Sequence, residues 1–332
     1  MIYYEDQENM YTPPFNITDE ILRLVAEISE QIGALNVVLG IRMPSPMLRK
    51  ENQIKTIHSS LAIEHNSLSL QQVTDVINGK HVLGAPNEIQ EVKNALQAYR
   101  LMQSLDAFQE KDLLRAHGLM MTDLVENAGR YRKSGVGVFA GEQCIHMAPP
   151  ADRVPFLMAD LFEWISTTDT HPLVSSCIFH YEFEFIHPFM DGNGRMGRYW
   201  QTMLLSRWKG IFAWLPIETI VKQHQQDYYD AIAQSDSQGN STIFITFMLR
   251  CILQTIKEQQ KVTDKVADKV TDKSEDKLLN ILRATPTSTI PQLMQMLSMS
   301  DSGVRKILRK LQQQGRLIRV GANKNGYWEI KQ

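Results

Sequence analysis

Residues 186–200, IHPFMDGNGRMGRYW, constrain the fold of this chain more than any other stretch. Gly192-Asn193-Gly194 reads as a tight turn that only small residues permit, set between two segments of helical periodicity. The upstream helix ends near His187. The downstream helix starts at once, with Met196, Tyr199, Trp200, Met203, Leu204 and Trp208 on its apolar face. A glycine-rich turn that opens a helix aims free backbone N–H groups at one point, with the positive end of the dipole behind them. That is an anion site suited to phosphates. Arg195 and Arg198 lie one turn apart at this helix start, where cations oppose the dipole unless an anion sits between them. Asp191 offers a hard oxygen ligand for magnesium, and His187 offers a base of a type that can be neutral near physiological pH. A base, a metal carboxylate, a phosphate nest and two arginines within one short segment are the parts that nucleotide transfer needs.

The rest of the chain reads as mainly α. Ile21, Leu22, Leu24, Val25, Ile28 and Ile32 recur at spacings of three and four, and a second helix runs through Ile54, Ile57, Leu61, Ala62 and Glu64. Ser69 and Gln72 fit a capping box, and Asn78-Gly79 closes that third helix. Further helical patterns cover residues 88–105, 111–124, 154–167 and 172–185. Residues 134–150 break the rhythm and predict a small β-hairpin flap. The segment KVTDKVADKVTDK repeats with a period of four, which drifts around a helix and holds no apolar seam, so residues 260–274 read as a charged linker. Three short helical patterns and two strands after Ser274 predict a winged helix-turn-helix domain. The expected organisation is a helical region over 1–105, a core over 106–259, the linker over 260–274 and the winged helix over 275–332.

HPFMDGNGRMGR resembles the signature of the Fic family, HxFx(D/E)GNGRxxR, at every specified position. The surrounding helices extend the likeness over roughly residues 10–255. The resemblance implies a Fic-type helical bundle and a protein adenylyltransferase, which moves AMP from ATP onto a Ser, Thr or Tyr hydroxyl. It implies His187 as the base and Asp191 as the Mg2+ ligand. Gly192, Asn193 and Gly194 would hold the α-phosphate, Arg195 the β-phosphate and Arg198 the γ-phosphate, with Met196 and Gly197 completing the nucleotide-binding turn. The kinase branch of the family carries Lys at the position of Gly194, so this glycine favours AMP transfer over phosphate transfer.

Ser60-Leu-Ala-Ile-Glu64 resembles the family's inhibitory helix, (S/T)xxxE(G/N), with His65 departing from the pattern. Glu64 would pair with Arg198 and enter the nucleotide site, and Ser60 would help hold the helix. The flap residues Gln143, Cys144, Ile145, His146 and Met147 would dock a target protein by strand addition. Asp236, in the segment after Tyr228-Tyr229, would touch the adenine or ribose. His117 and His180 read as packed helix residues. Two other readings stay open: release of AMP from a modified protein with Glu64 placing the water, and an ATP-sensing regulator that binds DNA.

A formal net charge of −2 argues against a nucleic-acid binder over the whole chain, but residues 276–332 are rich in Lys and Arg. DNA and a protein partner are both open for this domain, and a homodimer is a family-level expectation. Cys144, Cys177 and Cys251 show no CxxC spacing, which excludes a zinc site or disulfide framework as the first reading. The N-terminal residues lack a basic start followed by an apolar run, and no stretch reaches the roughly 18 apolar residues of a membrane span, so the expected compartment is the cytoplasm.

Overall fold

The three-and-four spacing of apolar residues becomes helix throughout. The structure, a computed structural model, describes residues 11–40, 46–140, 143–297, 299–321 and 326–331. The chain divides into two compact units between Lys257 and Glu258. In the first unit, α1 (Asp19–Gly40), α2 (Pro46–Ile63), α3 (Leu70–Ile77), α4 (Pro86–Leu101) and α5 (Glu110–Met120) lead to the hairpin β1 (Gly137–Ala140) and β2 (Gln143–Met147). Then come α6 (Val154–Thr167), α7 (Pro172–Ile186), α8 (Asn193–Trp208), α9 (Ile217–Gln223), α10 (Gln225–Gln238) and α11 (Thr242–Ala284), the last of which runs on into the second unit. The capping box at α3 forms as expected, with the Ser69 hydroxyl accepting from Gln72 N–H and Gln72 answering to the Ser69 backbone.

Helices α7 and α8 are the centre of this unit, because nearly every side chain from Leu173 to Phe183 and from Arg195 to Leu205 is buried. A helix covered on all sides must carry polar residues that find partners. Tyr199 donates to the Ala98 carbonyl at 2.9 Å and Trp200 to that of Ala107 at 3.1 Å, which ties α8 to α4 and to the turn before α5. His180 and Gln201 bond across the α7–α8 interface at 2.7 Å. An extended segment at residues 11–17 packs beside the start of α11, where Ser241 N–H donates to the Pro14 carbonyl.

Residues 260–274, read above as a linker, have helical backbone as part of α11. In the second unit Leu278, Leu279 and Leu282 of α11 pack with Leu293 of α12 (Ile290–Leu297), with Val304, Ile307, Leu308 and Leu311 of α13 (Asp301–Gln313), and with Leu317. The Ser300 hydroxyl caps α13 by accepting from Gly303 N–H, and Gly315 leaves the helix at φ 71°. Strands β3 (Leu317–Val320) and β4 (Tyr327–Ile330) pair antiparallel, with Leu317 opposite Ile330. Three helices and a hairpin make this unit a winged helix. Among the described residues, no helix is long and apolar enough to cross a membrane.

Candidate functional site

The glycine turn and its flanks form one cradle. Helix α7 ends at His187, whose φ of 49° and ψ of 61° are left-handed and turn the chain sharply out of the helix. Asn193 closes the loop that follows, because its carboxamide accepts from Phe189 N–H and donates to the Phe189 carbonyl, both at 2.9 Å. Phe189 is fully buried and stacks on His117, with ring centroids 3.6 Å apart. The His117 Nδ1 accepts from Gly129 N–H at 2.8 Å, so its Nε2 carries the proton and donates to the Asp191 carbonyl at 3.1 Å. Burial pushes the His117 pKa down to about 4, which keeps this imidazole neutral and structural, as its sequence context predicts. Gly192 sits at φ 85°, and a Cβ there would lie 2.6 Å from the Met121 sulfur. A larger residue is therefore barred by backbone and by space.

Two arginines flank the turn from α8. Arg195 bonds Glu91 at 2.9 Å and Asp191 at 3.1 Å. Arg198 is 3% exposed and bonds the Glu64 carboxylate at 2.7 Å, the Ser60 carbonyl at 3.0 Å and the Ser60 hydroxyl at 3.3 Å. Burial disfavours its charge, but Glu64 first, then Tyr228 and Glu184, outweigh burial and hold the guanidinium more firmly ionised than usual. The Glu64 oxygen occupies the space beside Gly194, where a Cβ would come within 2.3 Å of it. Thus Ser60, Glu64, Gly194 and Arg198, drawn from two distant segments, meet at one point.

Glu64 is reached by a turn of unusual backbone. Helix α2 ends at Ile63, one residue before it, and His65 adopts φ 69°. The family pattern has Gly or Asn at this position, and these are the residues that tolerate a left-handed backbone. The next residue, Asn66, donates to Glu91 at 2.7 Å and to the Glu88 carbonyl at 3.1 Å. Glu91 therefore joins the Glu64 turn to Arg195. Sequence reasoning misses Glu91, since an ordinary acid on a helix gives no sign of a partner 104 residues away. It also misses Arg132, which donates to four carbonyls, those of His187, Ser134, Pro149 and Ile186, and so fastens the base of the hairpin to the end of α7.

Other expected residues fall differently. Met196 has its side chain wholly inside the core, and its N–H donates to the Gly192 carbonyl. Gly197 faces inward, where a Cβ would lie 2.6 Å from a Glu184 oxygen and 2.7 Å from the His180 ring, so it packs α8 against α7. Asp236 is half-buried and accepts from the Tyr181 hydroxyl at 2.8 Å. Gln143, Cys144, Ile145, His146 and Met147 form β2, with Met147 opposite Gly137 and Gln143 opposite Ala140; their side chains lie outside the described residues. In the winged helix, Arg305, Lys306 and Arg309 are exposed on α13, with Arg305 paired to Asp301 at 2.6 Å. Lys310 pairs with the buried Glu275 at 2.6 Å, which removes it from the free basic face, and Lys324 lies outside the described residues.

This arrangement agrees with comparison to known proteins. The Fic/DOC family matches residues 104–205, and the winged helix-turn-helix DNA-binding family matches residues 271–318. A protein adenylyltransferase Fic of Aedes aegypti is 30% identical over 237 residues, covering 68% of this chain and 45% of that protein. A protein of the same name from Nematostella vectensis is 28% identical over 240 residues, covering 69% of this chain and 53% of that protein. The chain thus spans about half the length of these relatives. The crystal structure of a Fic family protein from Desulfovibrio desulfuricans G20 is 47% identical, covers 97% of this chain and 98% of its own, and superposes with a TM-score of 0.74. Fic-1 of C. elegans shares the fold at 18% identity, with a TM-score of 0.58 over 74% of this chain and 72% of its own. With likeness across its whole length and the motif folded into one cradle, the chain belongs to the Fic family.

Proposed function

We propose that this protein transfers AMP from ATP to a Ser, Thr or Tyr hydroxyl of a target protein or of itself, and that Glu64 holds it inhibited. The supporting observation is the Glu64–Arg198 pair at 2.7 Å beside Gly194, because a carboxylate stands where the cradle is made for an anion. The relatives named protein adenylyltransferase support the same reaction. The residues fit a polyphosphate: Arg195 Nε and Arg198 Nη1 are buried N–H groups without hydrogen-bond partners.

In this reading the Gly192–Gly194 backbone receives the α-phosphate, Arg195 the β-phosphate and Arg198 the γ-phosphate once Glu64 withdraws. Asn193 acts by shaping the loop. His187 takes the proton of the target hydroxyl as its oxygen bonds the α-phosphorus, the bond to the bridging oxygen breaks, and pyrophosphate leaves. Asp191, 57% exposed at its side chain, would hold Mg2+, which would offset charge on the phosphates. The β2 backbone would align the target chain, and Asp236 would border the nucleoside. The α13 face of Arg305, Lys306 and Arg309 would meet DNA phosphates; its binding then weakens steeply with added salt, and a flat response would remove that role.

The test is transfer of label from α-labelled ATP by Glu64→Gly, with His187→Ala added as control. Transfer falls by about a hundredfold or more in the control while ATP binding persists. Transfer that survives without His187 would remove the base assignment. Release of AMP from a modified target, if it needed Glu64, would favour the reverse reaction instead.

A further inference from the structure

The left-handed turn at His187 is held by a residue to which the transfer step gives no part. Arg132 is 2% exposed and lies between α5 and β1. Its Nη2 donates to the Ile186 carbonyl at 3.2 Å, its Nε to that of His187 at 2.8 Å and its backbone N–H to that of Pro188 at 2.9 Å. Consecutive carbonyls, centred on the proposed base, thus accept from a single residue. Helix α7 needs such donors, because the last carbonyls of a helix have no partner within it and Pro188 brings no N–H of its own. A cation at this end also suits the negative pole of the helix. His187, at φ 49°, holds a backbone that residues with a Cβ rarely adopt, and such a conformation lasts only where its surroundings enforce it.

The same guanidinium reaches the flap. Its Nη1 donates to the Ser134 carbonyl at 3.0 Å and its Nη2 to that of Pro149 at 2.6 Å. These residues flank the base of the hairpin, where Ala148 N–H donates to the Val136 carbonyl and Gly137 lies opposite Met147. One leg of the hairpin passes Ser134 and the other passes Pro149, so both legs are tied to the group that ties His187. Arg132 is itself fixed from the scaffold side. Its neighbour Tyr131 donates to Glu110 at 2.9 Å and lies against Phe189, and Gly129 N–H donates to His117. A guanidinium is planar and carries its donors in a fixed fork, so its partners keep one mutual geometry. A lysine ammonium has no such fork.

We propose that Arg132 is a positioning residue for the transfer step, holding the His187 imidazole in register with the flap that presents the target's hydroxyl. This role rests on the AMP-transfer reading, in which His187 is the base and the β2 backbone aligns the target. A misplacement of about 1 Å between reacting groups costs about a hundredfold in rate, so a shared anchor for base and flap has a direct use. In the same reading ATP is held by the Gly192–Gly194 backbone and by Arg195 and Arg198, and the bonds of Arg132 go to other residues. Arg132 therefore serves the alignment of the acceptor and not the hold on the nucleotide.

The test separates transfer from nucleotide binding. In the Glu64→Gly protein, alone and with Arg132→Lys or Arg132→Ala, the ATP dissociation constant is measured by calorimetry and the rate of self-labelling at saturating labelled ATP. Arg132→Ala should slow labelling by about a hundredfold and Arg132→Lys by about tenfold, while ATP affinity changes by about twofold or less. Equal losses in labelling and in ATP affinity would mark a merely structural role and overturn the proposal, as would unchanged labelling. Should Arg132→Ala fail to fold, Arg132→Lys decides by the same criteria. Adding His187→Ala supplies a cycle: the residual labelling should no longer respond to Arg132→Lys, and a response that persists removes His187 as the route. A second readout needs no reaction of ATP. Carbethoxylation of His187 by diethyl pyrocarbonate, followed by mass spectrometry, should quicken by about threefold in Arg132→Lys as the turn loosens, and an unchanged rate overturns the positioning of the base. If Glu64→Gly alone transfers no AMP, the assigned reaction fails, which is a separate result, and the His187 modification rate still decides whether Arg132 holds that turn.

Discussion

Arg195 and Arg198 stand three residues apart on α8, both buried, yet they are held in different ways. Arg195 is gripped by Asp191 from its own motif and by Glu91 from α4. Arg198 is gripped by Ser60 and Glu64, both from the end of α2 and the turn after it. Freeing Arg195 means displacing two separate elements, whereas freeing Arg198 means moving one short segment. In the proposed inhibition, the contrast would let a single acidic side chain act as a removable plug on one arginine, while the other stays organised by its surroundings.

The largest expected effect attacks that plug. Glu64→Gly should raise self-labelling from labelled ATP by on the order of a hundredfold, since a charge-assisted contact of this kind is worth about 1.5–3 kcal/mol. Glu91→Gln, at the other arginine, should give no comparable rise. An equal rise from both would erase the difference between the two grips.

The next effect is steric. Gly194→Ala would put a methyl 2.3 Å from the Glu64 oxygen and 3.0 Å from Arg198 Nη1. In the wild-type protein, urea unfolding should show a loss of about 2 kcal/mol. In Glu64→Gly the same substitution should cost about half as much or less, because the crowded oxygen is gone. Equal losses in both backgrounds would show that Glu64 does not fill the cradle. Ser60→Ala removes one hydroxyl from the same grip and should raise self-labelling by about fivefold, in keeping with about 1 kcal/mol for a buried hydrogen bond. No rise would leave Glu64 as the whole of the lock.

How much of this could be read in the sequence follows from how local each signal is. The cradle is contiguous, so HPFMDGNGRMGR announces its turn, its arginines and its helix start without help from the fold. The boundaries of α6 and α12 are likewise plain, because a capped or proline-led amphipathic run carries its own ends. Met196 is the opposite case: it lies inside the motif, yet the helical period turns its side chain into the core. Glu91 and Arg132 look like common surface residues in the one-dimensional chain. Their roles arise only where α4, the hairpin base and α7 converge on the loop. The same holds for Glu275, whose pairing with Lys310 draws down a basic face that a simple count of lysines and arginines overstates.

The smallest effect concerns the turn that delivers Glu64. His65 holds φ 69° where the family pattern has Gly or Asn, and a residue with a Cβ in that region costs about 1 kcal/mol. The strain is local to the segment that, in the proposed inhibition, moves to release Arg198, and no such strain exists on the Glu91 side, where α4 is regular helix. His65→Gly should therefore relieve the turn. Because Gly also gives the unfolded chain more freedom, the net gain in urea unfolding should be about 0.5 kcal/mol. The kinetic consequence is more telling than the stability: a relaxed turn holds Glu64 on Arg198 longer, so self-labelling by the otherwise wild-type protein should fall by about twofold. A rise in labelling would mean that His65 steadies the lock through its side chain, and that the left-handed backbone is not what sets the ease of release.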